Sequence, residues 1–325
     1  MMNDFVEDFL THINPQAALS TERVEILRGL LVRFVELAKF DTDDGDLRVA
    51  ADALHELLDA AKVFSPWRDR RKLTVFGSAR TKVDDPLYEM ARALSHEMAQ
   101  RGWMTISGAG PGIMEAAAKG AGLSNTIGVN IELPFEQSSN IYVDAQSSLV
   151  EMRFFFTRKV ALTKESMAFA IFPGGIGTMD ETFEIITLLH SGKSNPAPIV
   201  LIDSPQGNYW EEWLDFLEHS VIAAGYLEPR ASSLFVICHD NESAITAIEQ
   251  FYSNFVEFST NGDRAELVVR HVPSAEQLAG LVELFPMFAT GGGFTLDDRT
   301  IRFGFDGRNF VNLRLLIDAV NEWAP

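Results

Sequence analysis

Cysteine is almost missing from this chain: Cys238 is the only one in 325 residues. That excludes an internal disulfide framework and any multi-cysteine metal site. Cys238 lies in Leu234-Phe-Val-Ile-Cys-His239, an apolar run that reads as a buried strand, so packing accounts for it better than nucleophilic chemistry. Basic residues are also scarce, 27 Lys and Arg against 46 Asp and Glu. The resulting net charge of −19 argues against nucleic acid or an anionic membrane as a partner, because the long-range field repels phosphates. A phosphorylated ligand therefore has to be held by local groups. No apolar run approaches the roughly 20 residues that span a bilayer. The acidic start Met1-Met-Asn-Asp-Phe-Val-Glu-Asp8 lacks the basic segment of a secretory signal, so a cytoplasmic location is expected. The seven histidines are scattered, with no pair at metal-ligand spacing on a predicted helix, which disfavours a zinc hydrolase.

What is present is a chain long enough for one large α/β domain with additions, or for two or three smaller units. Residues 1–70 read as a helical extension, with Val24, Leu27, Leu31, Phe34 and Leu37 recurring at three and four after a cap at Ser20. The acidic turn Asp41 to Asp46 precedes a second helix from Leu47 to Val63. From Leu73 short apolar runs alternate with helices, the pattern of a doubly wound, Rossmann-like parallel sheet over residues 71–250. Strands are expected at Leu73 to Phe76, Trp103 to Ile106, Thr126 to Val129, Ala168 to Phe172, Pro198 to Ile202 and Leu234 to Ile237. The helices between them run from Pro86 to Gln100, Ile113 to Gly122, Leu149 to Thr163, Thr178 to His190 and Tyr209 to Ala223. Residues 251–325 read as a small α+β appendage, with hairpin signals at Asn261-Gly262 and Asp297-Asp298.

Ligands of such sheets sit beyond the carboxyl ends of the strands, and four stretches there carry unusual residues. Gly77-Ser78-Ala79-Arg80 offers close backbone approach, a hydroxyl and a cation. Ser107-Gly108-Ala109-Gly110-Pro111-Gly112-Ile113-Met114-Glu115 resembles half of a dinucleotide fingerprint but has Ile113 where the third glycine belongs. Glu132 stands where a ribose-binding acid would, which keeps NAD as a minor alternative. In Glu151 to Val160, Arg153 and Arg158 flank three phenylalanines, which suggests a face pressed into the protein with cations at its rim.

The fourth stretch, Pro173-Gly174-Gly175-Ile176-Gly177-Thr178-Met179-Asp180-Glu181, joins a strand to a helix through glycines whose amides can approach an anion. Thr178 and Glu181 also fit the spacing of a capping box, a purely structural role.

The pattern Pro-Gly-Gly-x-Gly-Thr-x-x-Glu at Pro173 to Glu181, with the pair Arg158-Lys159 before it, resembles the LOG ("Lonely guy") family of nucleoside 5′-monophosphate phosphoribohydrolases, often labelled lysine decarboxylases. Gly108 to Glu115 and Gly128 to Phe135 are similar to its longer bacterial branch, with Ala109 in place of a usual glycine and Asp180 beside the glutamate. The resemblance covers about residues 70–250 well and the tail more weakly. It implies hydrolysis of a nucleotide N-glycosidic bond to free base and ribose 5-phosphate, with AMP or a cytokinin nucleotide as substrate. Arg158 and Glu181 are the catalytic residues it implies. Substrate binding falls to Gly77, Ser78, Gly108, Gly110, Gly112, Met114, Glu115, Lys159, Gly174, Gly175, Gly177 and Thr178. It implies no metal or organic cofactor, and at least a homodimer. A non-catalytic nucleotide or alarmone sensor is the alternative. Lysine decarboxylation is weaker, because nothing here sets a lysine for pyridoxal phosphate.

Overall fold

A computed structural model describes residues 20–40, 43–133 and 139–324. The acidic start Met1 to Asp8, Asp41, Thr42 and the Pro134-Phe135 end of the Gly128 to Phe135 stretch lie outside the described residues. By compactness the chain divides into residues 1–55 and 56–325. In the first unit helix α1 (Thr21–Lys39) starts at Ser20, whose side chain accepts from the Arg23 amide at 3.3 Å as expected of a cap. Helix α2 (Asp44–Phe64) begins in this unit, and its last turns, from Glu56, belong to the second.

The second unit is built on a seven-stranded parallel sheet: β1 (Lys72–Phe76), β2 (Met104–Ser107), β3 (Thr126–Ile131), β4 (Leu149–Met152), β5 (Ala168–Ile171), β6 (Ile199–Ile202) and β7 (Phe235–Cys238), in spatial order 4-3-2-1-5-6-7. The connecting helices are α3 (Pro86–Gln100), α4 (Ile113–Ala121), α5 (Phe155–Lys164), α6 (Ile176–His190) and α7 (Tyr209–Phe216), and α8 (Asn241–Phe251) follows β7. Both faces of the sheet are covered, which is why β1, β2, β3, β5 and β6 are buried along their whole length. Leu73, Val75, Ala168, Ala170, Val200 and Ile202 face one core, while Phe76, Ile106, Val129, Phe169, Ile171 and Leu201 face the other.

Strand order reverses between β1 and β5, so the loops after these two strands diverge and leave a crevice at the carboxyl edge. Residues 149–152, expected to open a helix, instead form β4. Val150 and Met152 are buried and Glu151 is exposed, and this alternation pairs with the otherwise open edge of β3. Helix α5 consequently starts six residues later. Helix α7 passes into a π-helical segment over Leu217–Ile222 before the turn.

The tail forms a four-stranded antiparallel sheet of β8 (Phe255–Asn261), β9 (Arg264–Val269), β10 (Thr295–Asp297) and β11 (Thr300–Gly304), with helices α9 (Ala275–Leu284) and α10 (Phe310–Asn321). Both hairpin signals hold, with Gly262 and Asp298 at positive φ. Leu267, Phe303 and Leu316 share one continuous core with Leu73, Val75 and Phe251. No described helix is long and apolar enough to cross a membrane.

Candidate active site

At the crevice between β1 and β5 a cleft of about 550 Å³ is walled by the loops after β1, β2 and β5 and by α5 and α6. The loops are tied to one another by backbone. The Ser78 amide donates to Pro173 O at 3.2 Å and the Ile113 amide to Ser78 O at 3.1 Å. Gly112, at φ 69°, brings the second loop so close to the first that a Cβ there would stand 2.3 Å from Ser78 O. Ala109 occupies the left-handed region at φ 58° without being glycine, and its carbonyl is held by the Asn140 amide at 2.8 Å.

Helix α6 begins at Ile176 with Gly175 as its N-cap and no capping side chain. The expected capping box is therefore not formed. Starting two residues earlier puts Thr178 inside the first turn, where its side chain folds back over Gly174, and leaves Glu181 in the second turn, free to face elsewhere. The amides of Ile176, Gly177 and Thr178 precede that of Met179, the first to donate within the helix, to Gly175 O at 3.0 Å, and these three residues border the cleft. Tyr209 anchors the turn from behind, its hydroxyl donating to Gly174 O at 2.7 Å while Asp203 accepts from its amide at 2.7 Å.

Glu181 faces Arg158 across the cleft, Oε1 to Nη1 3.7 Å, with each side chain only 12% exposed. Arg158 is aimed by its own Nε, which donates to Val129 O at 3.0 Å, and its guanidinium lies across Gly108, where a Cβ would be 2.2 Å from Nη2. Burial raises the Glu181 carboxyl above its ordinary value, and the charges of Arg158 and Lys159 offset that only in part. Burial likewise lowers the Arg158 guanidinium, with Glu181 opposing. At 3.7 Å the two form a desolvated pair without a direct hydrogen bond, so both keep bonding capacity toward the cleft.

A buried carboxylate sets the helix that carries Arg158. Glu56, in the second half of α2, accepts from the Arg153 amide at 2.9 Å and from the Thr157 hydroxyl. These groups bracket the N-terminus of α5, where negative charge also complements the helix dipole. Neither motif spacing nor periodicity singles out Glu56; a charged residue at a buried heptad-like position of α2 is the one trace it leaves in the sequence.

Of the residues expected at the site, Gly77, Ser78, Gly108, Met114, Arg158, Gly175, Gly177, Thr178 and Glu181 line the cleft. Gly110, Gly112, Glu115, Lys159 and Gly174 do not. Glu115 accepts from the Tyr88 hydroxyl at 3.0 Å. Lys159 is turned away and bridges Asp180 at 2.8 Å and Glu184 at 2.6 Å; burial lowers its ammonium, but these bonds outweigh it and hold the group above its ordinary value. Glu132 pairs with Arg153 at the surface, at 3.1 Å, rather than lining the cleft. The phenylalanine face is also arranged differently. Phe155 and Phe156 are more than half exposed, because α5 starts at Phe155 and turns Thr157 and Ala161 inward. Lining residues not among those expected to bind substrate include Ile131 at the end of β3, Leu133 just after it, and Phe155 and Ile176 at the first turns of α5 and α6. Their position at strand ends and helix starts was the available signal.

The family model described as "Possible lysine decarboxylase" matches residues 112–248. The cytokinin riboside 5′-monophosphate phosphoribohydrolase of Rhodococcoides fascians is 30% identical over 185 residues, 55% of this chain and 89% of the relative. The protein of the same name from Mycobacterium tuberculosis is 30% identical over 50% of this chain and 84% of its own length. Among solved structures, the molybdenum cofactor binding protein from Rippkaea orientalis aligns at a TM-score of 0.41 and 18% identity, over 55% of this chain and 96% of that one. With a similarity of that extent to the Rhodococcoides enzyme and the glycine motif and Arg158 and Glu181 at one cleft, the chain belongs to the LOG family.

Proposed function

We propose that the protein hydrolyses the N-glycosidic bond of a nucleoside 5′-monophosphate, AMP or a cytokinin nucleotide, releasing free base and ribose 5-phosphate. The observation that carries this reading is the largely buried Arg158 and Glu181 pair, without a direct hydrogen bond to each other, in one cleft with the uncommitted amides that start α6. The similarity to the Rhodococcoides and Mycobacterium phosphoribohydrolases supports the same class of reaction.

In this mechanism the 5′-phosphate rests on the amides of Ile176, Gly177 and Thr178 and on Ser78, at the positive end of α6. Binding energy from that remote group holds C1′ near Glu181. As the C–N bond breaks, its electron pair leaves with the base and positive charge builds on the ribose. The Glu181 carboxylate stabilises that charge and takes a proton from the attacking water, which adds to C1′. Arg158 offsets the negative charge on the departing base, which then takes up the proton that Glu181 received from the water. A carboxyl whose hold on a proton is strengthened by burial is suited to this relay.

We also propose that a second copy covers the apolar side chains at the mouth, since Phe155 and Ile176 line the cleft while being 55% and 90% exposed. Incubation with AMP, CMP, GMP and isopentenyl-adenosine monophosphate, with assay of ribose 5-phosphate, tests the reaction. Release from at least one is expected. Tight binding of all four without release would turn the reading toward a nucleotide sensor.

A further inference from the structure

A second cavity, of about 220 Å³, opens at the opposite, amino edge of the parallel sheet. Its walls come from the run Arg68-Asp-Arg-Arg-Lys72 leading into β1, the turn Lys164-Glu-Ser-Met167 leading into β5, and the first residues of β8. It shares no lining residue with the cleft. In a chain of net charge −19, four cations line it, Arg68, Arg70, Lys72 and Lys164, against two carboxylates, Glu165 and Glu257.

Lys72 is the informative residue. Its side chain is 2% exposed, yet it lines the cavity. The ammonium donates to Arg70 O at 3.0 Å, and the nearest Glu165 oxygen is 3.9 Å away, beyond hydrogen-bond distance. An ammonium has three donors, so two have no acceptor among the described residues. Burying such a cation is costly, and an apolar side chain of the same volume would pack there at less cost. Burial accordingly lowers the group below its ordinary value, with Glu165 opposing.

Arg70 is rigid, its guanidinium donating to Gly102 O at 3.1 Å and to Asn125 at 2.9 Å. Lys164 stands in the last turn of α5 and complements the dipole there. That accounts for Lys164, but not for Arg68 or for the buried Lys72.

We propose that this cavity is a second anion site, for a compact phosphate compound carrying at least two negative charges. Its volume, less than half that of the cleft, suits an anion of pyrophosphate or sugar-phosphate size better than a nucleotide. Two donors of a desolvated ammonium meet the anion, and Arg68 and Lys164 close over it from the rim. Because one wall is β8 and another is the start of β1, the bound anion ties the antiparallel sheet of the tail to the central sheet.

The experiment is a calorimetric titration of the full chain with pyrophosphate at low salt. Binding in the cleft is removed by Gly177→Asp: a Cβ there meets nothing nearer than Glu181 at 4.0 Å, and a carboxylate suits the first turn of α6 while repelling phosphate. One saturable site is expected to persist in Gly177→Asp. In that background, Arg68→Ala with Lys164→Ala is expected to weaken it at least fivefold, as is the volume-conserving Lys72→Met. Loss of all saturable binding in Gly177→Asp overturns the proposal, as does a change under fivefold in either folded variant. If Lys72→Met does not fold, the surface double variant decides alone.

Discussion

The cleft and the junction between the tail and the central sheet both bury polar side chains, and they treat them in opposite ways. At the junction Asn321 accepts from the amides of Asn254 at 3.1 Å and Phe255 at 2.8 Å and donates to Phe251 O at 2.7 Å. Asn254 in turn donates to Val320 O and accepts from the amides of Arg270 and His271. Each of these side-chain amides bonds through both its oxygen and its nitrogen, which is how a buried polar network comes to specify a docking geometry. In the cleft Arg158 and Glu181 are largely buried but only loosely engaged with each other, and Ile176, Gly177 and Thr178 present open amides. A saturated network stabilises a fold, whereas one with spare capacity is poised to meet a ligand.

The largest effect should follow from removing the charge at the loose pair. Glu181→Gln is expected to lower nucleotide turnover by roughly 10²–10⁴-fold while leaving nucleotide binding within about threefold; steady-state kinetics with a binding titration would check both. Equal turnover would mean that the contrast between the two regions has no bearing on chemistry. Asn321→Ala should do the reverse, costing about 3 kcal/mol of stability because several buried partners lose their bonds, with unaltered kcat per folded molecule. Denaturant melts alongside active-site titration would expose a failure.

Glu56→Ala tests the link between stability and site. It should destabilise by about 2 kcal/mol, since two donors at the start of α5 lose a charged acceptor, and it should lower kcat more than it raises KM. A variant that is merely less stable, with kcat intact, would confine Glu56 to a structural role.

The pH profile sharpens the same comparison. With Glu181 raised by burial, kcat/KM should fall as pH drops through a midpoint above the ordinary 4.5. Removing the opposing cation in Arg158→Met should move the midpoint of residual activity or of carboxyl titration higher still. A midpoint at or below 4.5 in the parent protein would contradict the burial argument. The smallest effect is expected from Lys159→Met, which loses two partly exposed ion pairs. Less than about 1 kcal/mol of stability and under threefold in kcat should be lost, and a larger fall in kcat would return Lys159 to the site.

Much of this was legible along the chain. Apolar runs at strand length located β1, β2, β3, β5, β6 and β7, and the glycine motif fell at a strand end beside a helix, where the cleft is. The short β4 was not legible as a strand, because four residues carry too little periodicity and its role is to complete an edge. Nor was the phase of α5. The phenylalanine spacing suggested a buried face, yet the helix starts late enough to leave Phe155 and Phe156 exposed.

Local chemistry in the residues themselves settled which segments become strands, where a helix can start on glycine, and that an anion must be met by local donors in a strongly acidic chain. Tertiary structure alone decided the fates of Arg158 and Lys159. Adjacent helical residues point about 100° apart, so the rotation of α5 assigns one to the cleft and the other to Asp180 and Glu184. That rotation is set by Glu56, about a hundred residues away, and by the hold of Val129 O on the guanidinium, contacts that no local pattern encodes.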